Sequence, residues 1–433
     1  MTAPELLAPA GSLEGLRAAC DHGADAVYVG VGPHNLRARG ANFSIEEFKD
    51  CIAYCKKSKR RIYAALNSMP GDKALDEIEQ LLRACSRLKA KPDAFIISDP
   101  GVLTLCRRFF KTTPLHLSTQ TGTFNGVSAQ FWKPHGVSRV ILPREFSLEQ
   151  IRDVIVRARI ETEVFVHGAM CVSVSGRCLL GAYLGKRHPN WGDCPQPCRL
   201  RYRIAPQEKD LDCGEWLSVE EEFGGRDDEH RAYILNSKDL NTLSILPRII
   251  ATGVSSLKIE GRNKSAHYVG SVVKIYRAAL DACINDRDRY SVLPEWTDEL
   301  NRLDHRPYTT GFYGGDEYVL QETGFSQTFS SLRIVGTVKA VTMAGEAVVD
   351  VKNPFGFNDV FNVLPVRRGR MPFDARCASL TDMDHNPLNR ALTNRVVLLT
   401  TNEQLSVGDM LRKEDATRES RKDAVKRSLD ESK

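Results

Sequence analysis

Four cysteines fall within one short stretch of the chain, FVHGAMCVSVSGRCLLGAYLGKRHPNWGDCPQPCRLRY, residues 165–202. They are Cys171, Cys178, Cys194 and Cys198. Thiolates are soft ligands that suit zinc ions and iron–sulfur clusters. Structural zinc sites usually combine two short cysteine pairs, whereas here only Cys194 and Cys198 lie that close together. The spacing therefore indicates a metal site and leaves zinc and iron–sulfur both open.

The cellular compartment bears on what these cysteines do. The N-terminus, MTAPELLAPAGSLEGL, has no basic stretch followed by an apolar one, which argues against a signal peptide. No apolar run in the sequence is long enough to predict a membrane span. We therefore expect a cytoplasmic protein without a membrane partner, whose thiols are kept reduced. Clustered reduced cysteines favour a metal site or a catalytic site over a disulfide.

The elements that position the cysteines follow a repeating pattern. A short apolar run, a turn and an amphipathic helical stretch alternate over the first 265 residues. The strand candidates are ELLAPA (5–10), AVYVGV (26–31), RIYAALN (61–67), AFIISD (94–99), LHLSTQ (115–120), RVILPR (139–144), EVFVHG (163–168) and SLKIEG (256–261). Eight such units predict an α/β fold, a (β/α)8 TIM-like barrel rather than an open sheet. YILNSKDL (233–240) also resembles a strand, so it is either supernumerary or distorts the barrel.

The chain divides into a large and a small domain. We expect the barrel at residues 1–290, with the cysteines in an insertion at about 169–232, after the seventh strand. Such an insertion lies at the C-terminal rim, where barrel active sites are found. A connector, 291–330, precedes strands without intervening helices, which predict a small C-terminal β-barrel domain at 331–412. A charged tail occupies 413–433.

Polar and charged residues follow the predicted strands at their C-terminal ends. In a barrel these ends surround one pocket, and arginines there can hold carboxylate or phosphate groups. We expect His167, Glu260 and Arg262 to take part in the chemistry. The residues that we expect to bind a small ligand are Arg37, Arg39, Asn67, Gln120 and Arg144.

Other catalytic machinery is not visible in the sequence. It contains no P-loop, no G-x-S-x-G elbow, no H-E-x-x-H and no Gly-rich dinucleotide fingerprint. His167 and Cys171 would suit the nucleophile pair of a cysteine hydrolase, a second hypothesis that leaves three cysteines unexplained. A third is a structural zinc protein that binds RNA without chemistry. The net charge of +5, from 60 basic and 55 acidic residues, permits an RNA partner without requiring one.

Several long blocks carry a family resemblance. They are ELLAPAGSLEGLRAACDHGADAVYVG, FVHGAMCVSVSGRCLLGAYLGKR, NSKDLNTLSILPRIIATGVSSLKIEGR and the HRPYTTGF segment. Together they resemble the collagenase-like peptidase family of unknown catalytic type, peptidase family U32. The resemblance runs to about residue 315, and the β-rich remainder is similar to the C-terminal domain of that family.

Within the family, the size and layout are most similar to members that hydroxylate the wobble uridine of tRNA to 5-hydroxyuridine. The resemblance implies tRNA and prephenate as partners, no stable protein partner, and a C-terminal domain that assists tRNA binding. It also implies a 4Fe–4S cluster held by Cys171, Cys178, Cys194 and Cys198, with Cys213 as an alternative to Cys198. The rim arginines would hold the two carboxylates of prephenate. Peptidase activity, and hydroxylation of ribosomal RNA or of a ubiquinone precursor, remain alternatives.

Overall fold

A computed structural model describes residues 3–40, 42–202, 233–314, 321–322 and 330–415. The first part of the chain forms a closed barrel of eight parallel strands. They are β1 (Glu5–Ala10), β2 (Ala26–Gly30), β3 (Arg61–Leu66), β4 (Ala94–Ile97), β5 (Leu115–Leu117), β6 (Val137–Ile141), β7 (Glu161–Ala169) and β9 (Ser256–Ile259). The barrel closes because β9 pairs in parallel with both β1 and β7. The predicted TIM-like barrel is confirmed.

Helices alternate with these strands. Those of the described residues are α1 (Leu13–Asp21), α2 (Ile45–Lys57), α3 (Asp72–Arg87), α4 (Pro100–Phe109), α5 (Gly126–Trp132), α6 (Leu148–Ala158), α7 (Leu180–Gly185), α8 (Leu246–Ala251), α9 (Ala266–Asn285) and α10 (Pro294–Asn301). Capping boxes begin α2 and α6, at Ser44 with Glu47 and at Ser147 with Gln150. Each box satisfies two backbone N–H groups that a helix start leaves free, which fixes where these helices begin. No helix in the described ranges is long and apolar enough to cross a membrane.

The strand candidate YILNSKDL is supernumerary. Its last two residues begin the short strand β8 (Asp239–Asn241), which pairs antiparallel with the end of β7, and β10 (Tyr308–Thr309) adds to β8 in parallel. The nine-residue β7 is long enough to project beyond the closed barrel. Its register against β9 shifts between Phe165 and His167, a β-bulge that changes the direction of the side chains that follow.

The interior of the barrel holds a paired network of charges. Arg139 Nη1 donates to Glu5 Oε1 at 2.6 Å and to Glu163 Oε2 at 3.2 Å, and Lys258 Nζ donates to Glu163 Oε1 at 2.9 Å. Burial raises the pKa of Glu163, but the charges of Lys258 and Arg139 outweigh burial and bring that pKa to about 2. Each charge is compensated, so the network can be buried without an isolated ion.

The second part of the chain forms a smaller, closed antiparallel barrel around its own apolar core. Its strands are β11 (Leu332–Val341), β12 (Ala347–Val351), β14 (Val360–Leu364), β15 (Phe373–Thr381), β17 (Val396–Thr401) and β18 (Met410–Glu414), with β13 (Phe355–Gly356) and β16 (Arg390–Ala391) as a separate short pair. This confirms the predicted C-terminal β-barrel. Of the charged tail expected at 413–433, residues 416–433 lie outside the described ones, and the expected connector contains α10.

The two barrels share one buried hydrogen-bond network, centred on Arg412 of β18. Its guanidinium donates to Glu299 of α10, with Nη2 to Oε2 at 3.1 Å. Nη1 also donates to Ser271 Oγ at 3.1 Å and to His267 Nε2 at 2.9 Å, and Asn362 accepts from Nη2. Arg412 is 0% exposed and every nitrogen of its guanidinium has a partner. This junction therefore satisfies the buried cation completely.

Candidate functional site

A cavity of about 170 Å³ opens at the C-terminal rim of the first barrel, where the sequence predicts the active site. Side chains at the strand ends, such as Tyr28 and Phe165, form one side, and the rim insertion forms the other. Ten of the predicted site residues line it: Cys171, Cys178, Cys194, Cys198, Arg37, Asn67, Gln120, Arg144, Glu260 and Arg262. The topology thus brings residues from six separate segments of the chain to one place.

The four cysteines are free thiols at the cavity wall, Cys171 exposed and the other three half-buried. Asn190 fixes the backbone at Cys178, since its Oδ1 accepts from the Cys178 N–H and its Nδ2 donates to the Cys178 carbonyl, both at 3.1 Å. The backbone N–H of Leu180 donates to Cys178 Sγ at 3.3 Å. Cys213, the alternative ligand, lies outside the described residues.

The thiols are close enough to influence one another electrostatically. Burial raises the pKa of Cys194, and the charges of Cys171 and Cys178 raise it further. In the described part of the chain, however, no three His, Cys, Asp or Glu side chains lie together closely enough to hold one metal ion. Four thiols spread around a shared cavity suit a multinuclear cluster better than a single ion. The residues present therefore fit an iron–sulfur group.

Arg37 and Glu260 form an ion pair across the cavity. Arg37 Nη2 donates to Glu260 Oε1 at 2.9 Å, and the hydroxyl of Tyr28 donates to Glu260 Oε2 at 3.1 Å. Burial raises the pKa of Glu260, but the charges of Arg37, Arg144 and Arg262 outweigh it and lower that pKa. Glu260 is therefore ionised at neutral pH with both oxygens occupied. This suits it to orient Arg37 and Tyr28.

Arg262 is buried, 4% exposed, with few partners for its charge. Its Nη2 donates to Asn35 Oδ1, while its Nε has no hydrogen-bond partner among the residues that the structure describes. Burial, and after it the charge of Arg37, lowers the pKa of Arg262 to about 10. Gly30 at the end of β2 makes room for this side chain, because a Cβ there would lie 2.5 Å from Arg262 Nη1. The fold thus holds an under-compensated cation at the cavity wall.

Two further arginines face the cavity with their donors unused. The Arg144 guanidinium lies 3.6 Å from the ring centroid of Phe165, a cation–π contact. Neither Arg144 nor Arg199 makes a hydrogen bond or ion pair with another described residue. Burial, and then the charge of Arg306, lowers the pKa of Arg199. With Arg262, these side chains give the cavity three cations that form no direct ion pair with a carboxylate among the described residues, which favours an anion at this site.

Three further lining residues carry an ionisable side chain and were not predicted from the sequence: Tyr28, Lys258 and Arg199. Lys258 had a detectable signal, because it is a charged residue in the middle of the apolar strand SLKI. A lysine there must find a carboxylate or a cavity, and this one contacts both. Arg199 lies in the irregular insertion, where no periodicity predicts the direction of a side chain.

Amide side chains complete the cavity. Asn67 Nδ2 donates to Ser118 Oγ at 3.1 Å, and Gln120 Nε2 donates to the carbonyl of Gly176 at 3.2 Å. The Gln120 Oε1 atom is buried and has no partner. Asn67 is therefore largely committed to holding the rim together, whereas Gln120 offers one free acceptor to a bound molecule.

Two of the predicted site residues do not line the cavity. Arg39 is exposed and pairs with Asp193, Nε to Oδ1 at 2.9 Å. His167 is 1% exposed and lies among the rings of Tyr268, Tyr276 and Tyr308, with both ring nitrogens unpartnered. Burial lowers the pKa of His167 to about 3. The hydrogen bond that a Cys171–His167 nucleophile pair requires is not formed.

Comparisons with known proteins agree with this architecture. The family model described as peptidase family U32 matches residues 11–322. The chain is 38% identical over 312 residues to tRNA hydroxylation protein P1 of Bacillus subtilis, covering 72% of this chain and 71% of that protein. It is 35% identical over 398 residues to tRNA hydroxylation protein P of Escherichia coli, covering 84% and 86%. A protein named collagenase from Porphyromonas gingivalis is 31% identical over 323 residues, covering 72% and 73%. The chain belongs to peptidase family U32.

Proposed function

We propose that this protein hydroxylates tRNA, at C5 of the wobble uridine, with prephenate as co-substrate and a 4Fe–4S cluster held by Cys171, Cys178, Cys194 and Cys198. The observation that carries the proposal is the shared cavity, which is lined by four free thiols and by three arginines without a direct ion pair among the described residues. The names of the Bacillus subtilis and Escherichia coli relatives support tRNA hydroxylation as the reaction class.

The charge of the cavity supports a dicarboxylate as the co-substrate. Arg37 and Lys258 already pair with Glu260 and Glu163. Arg144, Arg199 and Arg262 form no such ion pair with a carboxylate in the described part of the chain, and a guanidinium can bind one carboxylate through two parallel hydrogen bonds. A dianion with two separated carboxylates, such as prephenate, would satisfy this arrangement. The free acceptor of Gln120 suits the hydroxyl group of such a molecule.

The cluster would supply electron transfer or a Lewis-acidic iron site next to the bound substrates. The protein's own part is to bind and to orient. Glu260 holds Arg37 and Tyr28 in place, the arginines fix the dianion, and the barrel rim limits access of water. Such positioning lowers the entropic part of the barrier, because the reactants no longer have to find each other.

The test is a reconstituted reaction under anaerobic conditions. The purified protein is assayed for iron and sulfide and then incubated with tRNA from a deletion strain, with and without prephenate. We expect 5-hydroxyuridine in the nucleoside digest only when prephenate is present. A colourless, metal-free protein that cleaves peptides would contradict the proposal. Hydroxylation of ribosomal RNA but not of tRNA would instead support the alternative in which ribosomal RNA is the substrate.

A pair of variants tests the anion site. We expect Arg144→Ala to raise the KM for prephenate about 10-fold or more, since hydrogen bonds between charged groups contribute about 1.5–3 kcal/mol. Arg152→Ala is the matched control, because Arg152 is an exposed arginine on the outer helix α6. Equal KM values for the two variants would contradict the assignment of the dianion to this cavity.

Two cysteine variants test which thiols hold the cluster, because Cys198 and Cys213 are the two candidates for its fourth ligand. We expect Cys198→Ser to lose most of the bound iron and Cys213→Ser to keep it. Iron content and the visible absorbance of anaerobically purified protein are measured for both. The reverse result would transfer the fourth ligand to Cys213.

A further inference from the structure

Exposed apolar side chains concentrate in the rim insertion. Seven of the 21 strongly exposed large hydrophobic side chains among the described residues lie between positions 171 and 200. Two of them are aromatic, Tyr183 at 82% exposed and Trp191 at 57%. A concentration of exposed apolar and aromatic side chains in one segment indicates an interaction site.

The helix that carries Tyr183 is built to present that side chain to solvent. Gly181 and Gly185 lie one turn apart on α7 and face the segment that follows it. A Cβ at Gly181 would lie 2.8 Å from Pro189 and from Pro195, and one at Gly185 would lie 3.3 Å from Pro195. The two glycines therefore let α7 pack closely on these prolines. Tyr183, halfway between them, projects from the opposite face.

Trp191 is held rigidly beside the cavity. One face of its indole stacks on His188, with ring centroids 4.0 Å apart, and the ring remains more than half exposed. The carbonyl of the next residue, Gly192, accepts a hydrogen bond from the Ala38 N–H at 3.0 Å. Ala38 lies in the loop that also carries Arg37. The carbonyl of Asn190 accepts from the Met69 N–H at 3.0 Å. Trp191 is therefore a fixed platform at the edge of the candidate active site.

The charge of the same segment is strongly positive. Residues 171–202 contain five Lys or Arg and one Asp, against a net charge of +5 for the whole chain. The following residues, 203–232, carry the opposite balance, with ten acidic and four basic side chains. The positive charge is thus local to the segment that presents the aromatic rings. The one acidic residue, Asp193, is already paired with Arg187 and Arg39.

We infer that Tyr183 and Trp191 form a stacking surface for unpaired RNA bases next to the hydroxylation cavity. Exposed rings among cations are the combination that binds single-stranded nucleic acid, with the rings stacking on bases and the cations contacting phosphates. Double-stranded RNA keeps its bases stacked inside the helix and cannot use the rings. The inference rests on the proposed function for the identity of the RNA, and it names the residues that would hold the nucleotides flanking the target base.

The test measures binding without turnover. A short fluorescein-labelled single-stranded RNA, and the same strand annealed to its complement, are titrated with the iron-loaded protein at fixed salt. We expect Tyr183→Leu and Trp191→Leu each to weaken single-strand binding about 10-fold, in line with the usual contribution of one base–aromatic stack. We expect Trp191→Phe to retain most of the affinity, and duplex binding to change little in any variant.

Leucine is chosen because it keeps the apolar surface and removes the aromatic face. Leu184→Ala, a change at an exposed apolar neighbour of Tyr183, should leave the Kd unchanged. Phe131→Ala is the distant control, since Phe131 is 58% exposed at the C-terminal end of α5, away from the strand ends that form the rim. Iron content is measured in every variant, because Trp191 lies between two cysteine ligands in sequence.

Three results would overturn the inference. The first is that the leucine variants bind single-stranded RNA like the parent protein, and the second is that Leu184→Ala weakens binding as much as Trp191→Leu. The third is a dimer in light scattering that Tyr183→Leu dissociates, which would assign the surface to a second copy of the chain. If the protein does not hydroxylate tRNA but its RNA binding still depends on the two aromatic rings, the proposed function is overturned and this inference stands. In an active enzyme, the leucine variants should raise the KM for tRNA and leave the KM for prephenate unchanged.

Discussion

Two of the buried arginines of this protein use their donors differently, Arg262 at the barrel rim and Arg412 at the junction of the two barrels, 4% and 0% exposed. Arg412 donates from every guanidinium nitrogen, and Glu299 neutralises its charge. Arg262 donates to the uncharged Asn35, and its Nε has no partner among the described residues. Burial alone therefore does not distinguish a structural arginine from a functional one. The number of guanidinium donors that have a partner does distinguish them, because a cation left short of partners is stabilised only when a ligand binds.

The largest expected effect is on stability, at Arg412, the arginine whose guanidinium nitrogens all have partners. We expect Arg412→Leu to lower the free energy of unfolding by about 3–5 kcal/mol, because Glu299 would remain buried without a cation. Urea denaturation followed by the fluorescence of the buried Trp296 measures the change. The double variant Arg412→Leu with Glu299→Leu should recover most of the loss, since no isolated charge remains. A single variant as stable as the parent would refute the structural role of this pair.

The same type of change at the rim should separate stability from activity. We expect Arg262→Met to lower kcat/KM roughly 10- to 100-fold, through lost hydrogen bonds to the anionic co-substrate. The free energy of unfolding should change by less than about 1 kcal/mol, because an under-compensated buried cation stabilises little. The assays are steady-state kinetics and urea denaturation. If Arg262→Met lowers the free energy of unfolding as much as Arg412→Leu does, both arginines have a structural role and the distinction between them is wrong.

Acid sharpens the comparison at the junction. His267 Nε2 faces Arg412 Nη1 at 2.9 Å, with Glu299 and His22 nearby, and burial, followed by the charge of Arg412, lowers its pKa to about 3. Between that value and 6.5 the unfolded chain binds a proton that the folded protein refuses, so stability falls as pH falls. Relative to His267→Gln, we expect the parent protein to lose about 2 kcal/mol more between pH 7 and pH 5. Denaturation at several pH values measures this.

The surface histidine His385, with a side chain 66% exposed, provides the control for that measurement. Its replacement by Gln should leave the dependence of stability on pH as it is in the parent. Equal dependences for the parent and His267→Gln would show that His267 is not the group that resists protonation.

The smallest expected effect concerns geometry at constant charge. We expect Arg144→Lys to raise the KM for prephenate about 10-fold, because lysine lacks the planar fork that binds a carboxylate through two bonds. It also loses the flat contact with Phe165. Arg152→Lys on α6 is the control, and the KM is measured in the anaerobic assay. Full activity of Arg144→Lys would mean that the cavity needs only a positive charge there.

Much of this architecture was predictable from the sequence. The eight strands followed from local patterns, and strand ends in a barrel must converge, which placed Arg144 and Glu260 correctly at the rim. His167 shows where this reasoning fails. Alternation along β7 would send it inward with Glu163 and Phe165, but the β-bulge between Phe165 and His167 breaks the alternation. A bulge depends on pairing with β9, which lies far away in sequence, so local patterns do not reveal it.

The insertion was less predictable. The sequence identified its cysteines by residue type, but it gave no direction for Arg199, because irregular segments have no period from which a facing side can be inferred. The same limit explains Arg39 in the loop after β2, which we expected at the ligand pocket: Arg39 pairs with Asp193 instead, whereas Arg199 lines the cavity. Only the tertiary contacts of the loop decide between these outcomes.

The position of Arg412 also matters for the order in which the protein is made. The four cysteines of the insertion and the rim arginines all leave the ribosome before residue 270, whereas Arg412 lies in the last strand of the second barrel. Until that strand is synthesised, Glu299 and Ser271 lack the guanidinium that they contact in the complete structure. The residues that line the candidate site are therefore synthesised before the residue that joins the two barrels. A chain that stops short of β18 would carry those residues without this buried hydrogen-bond network.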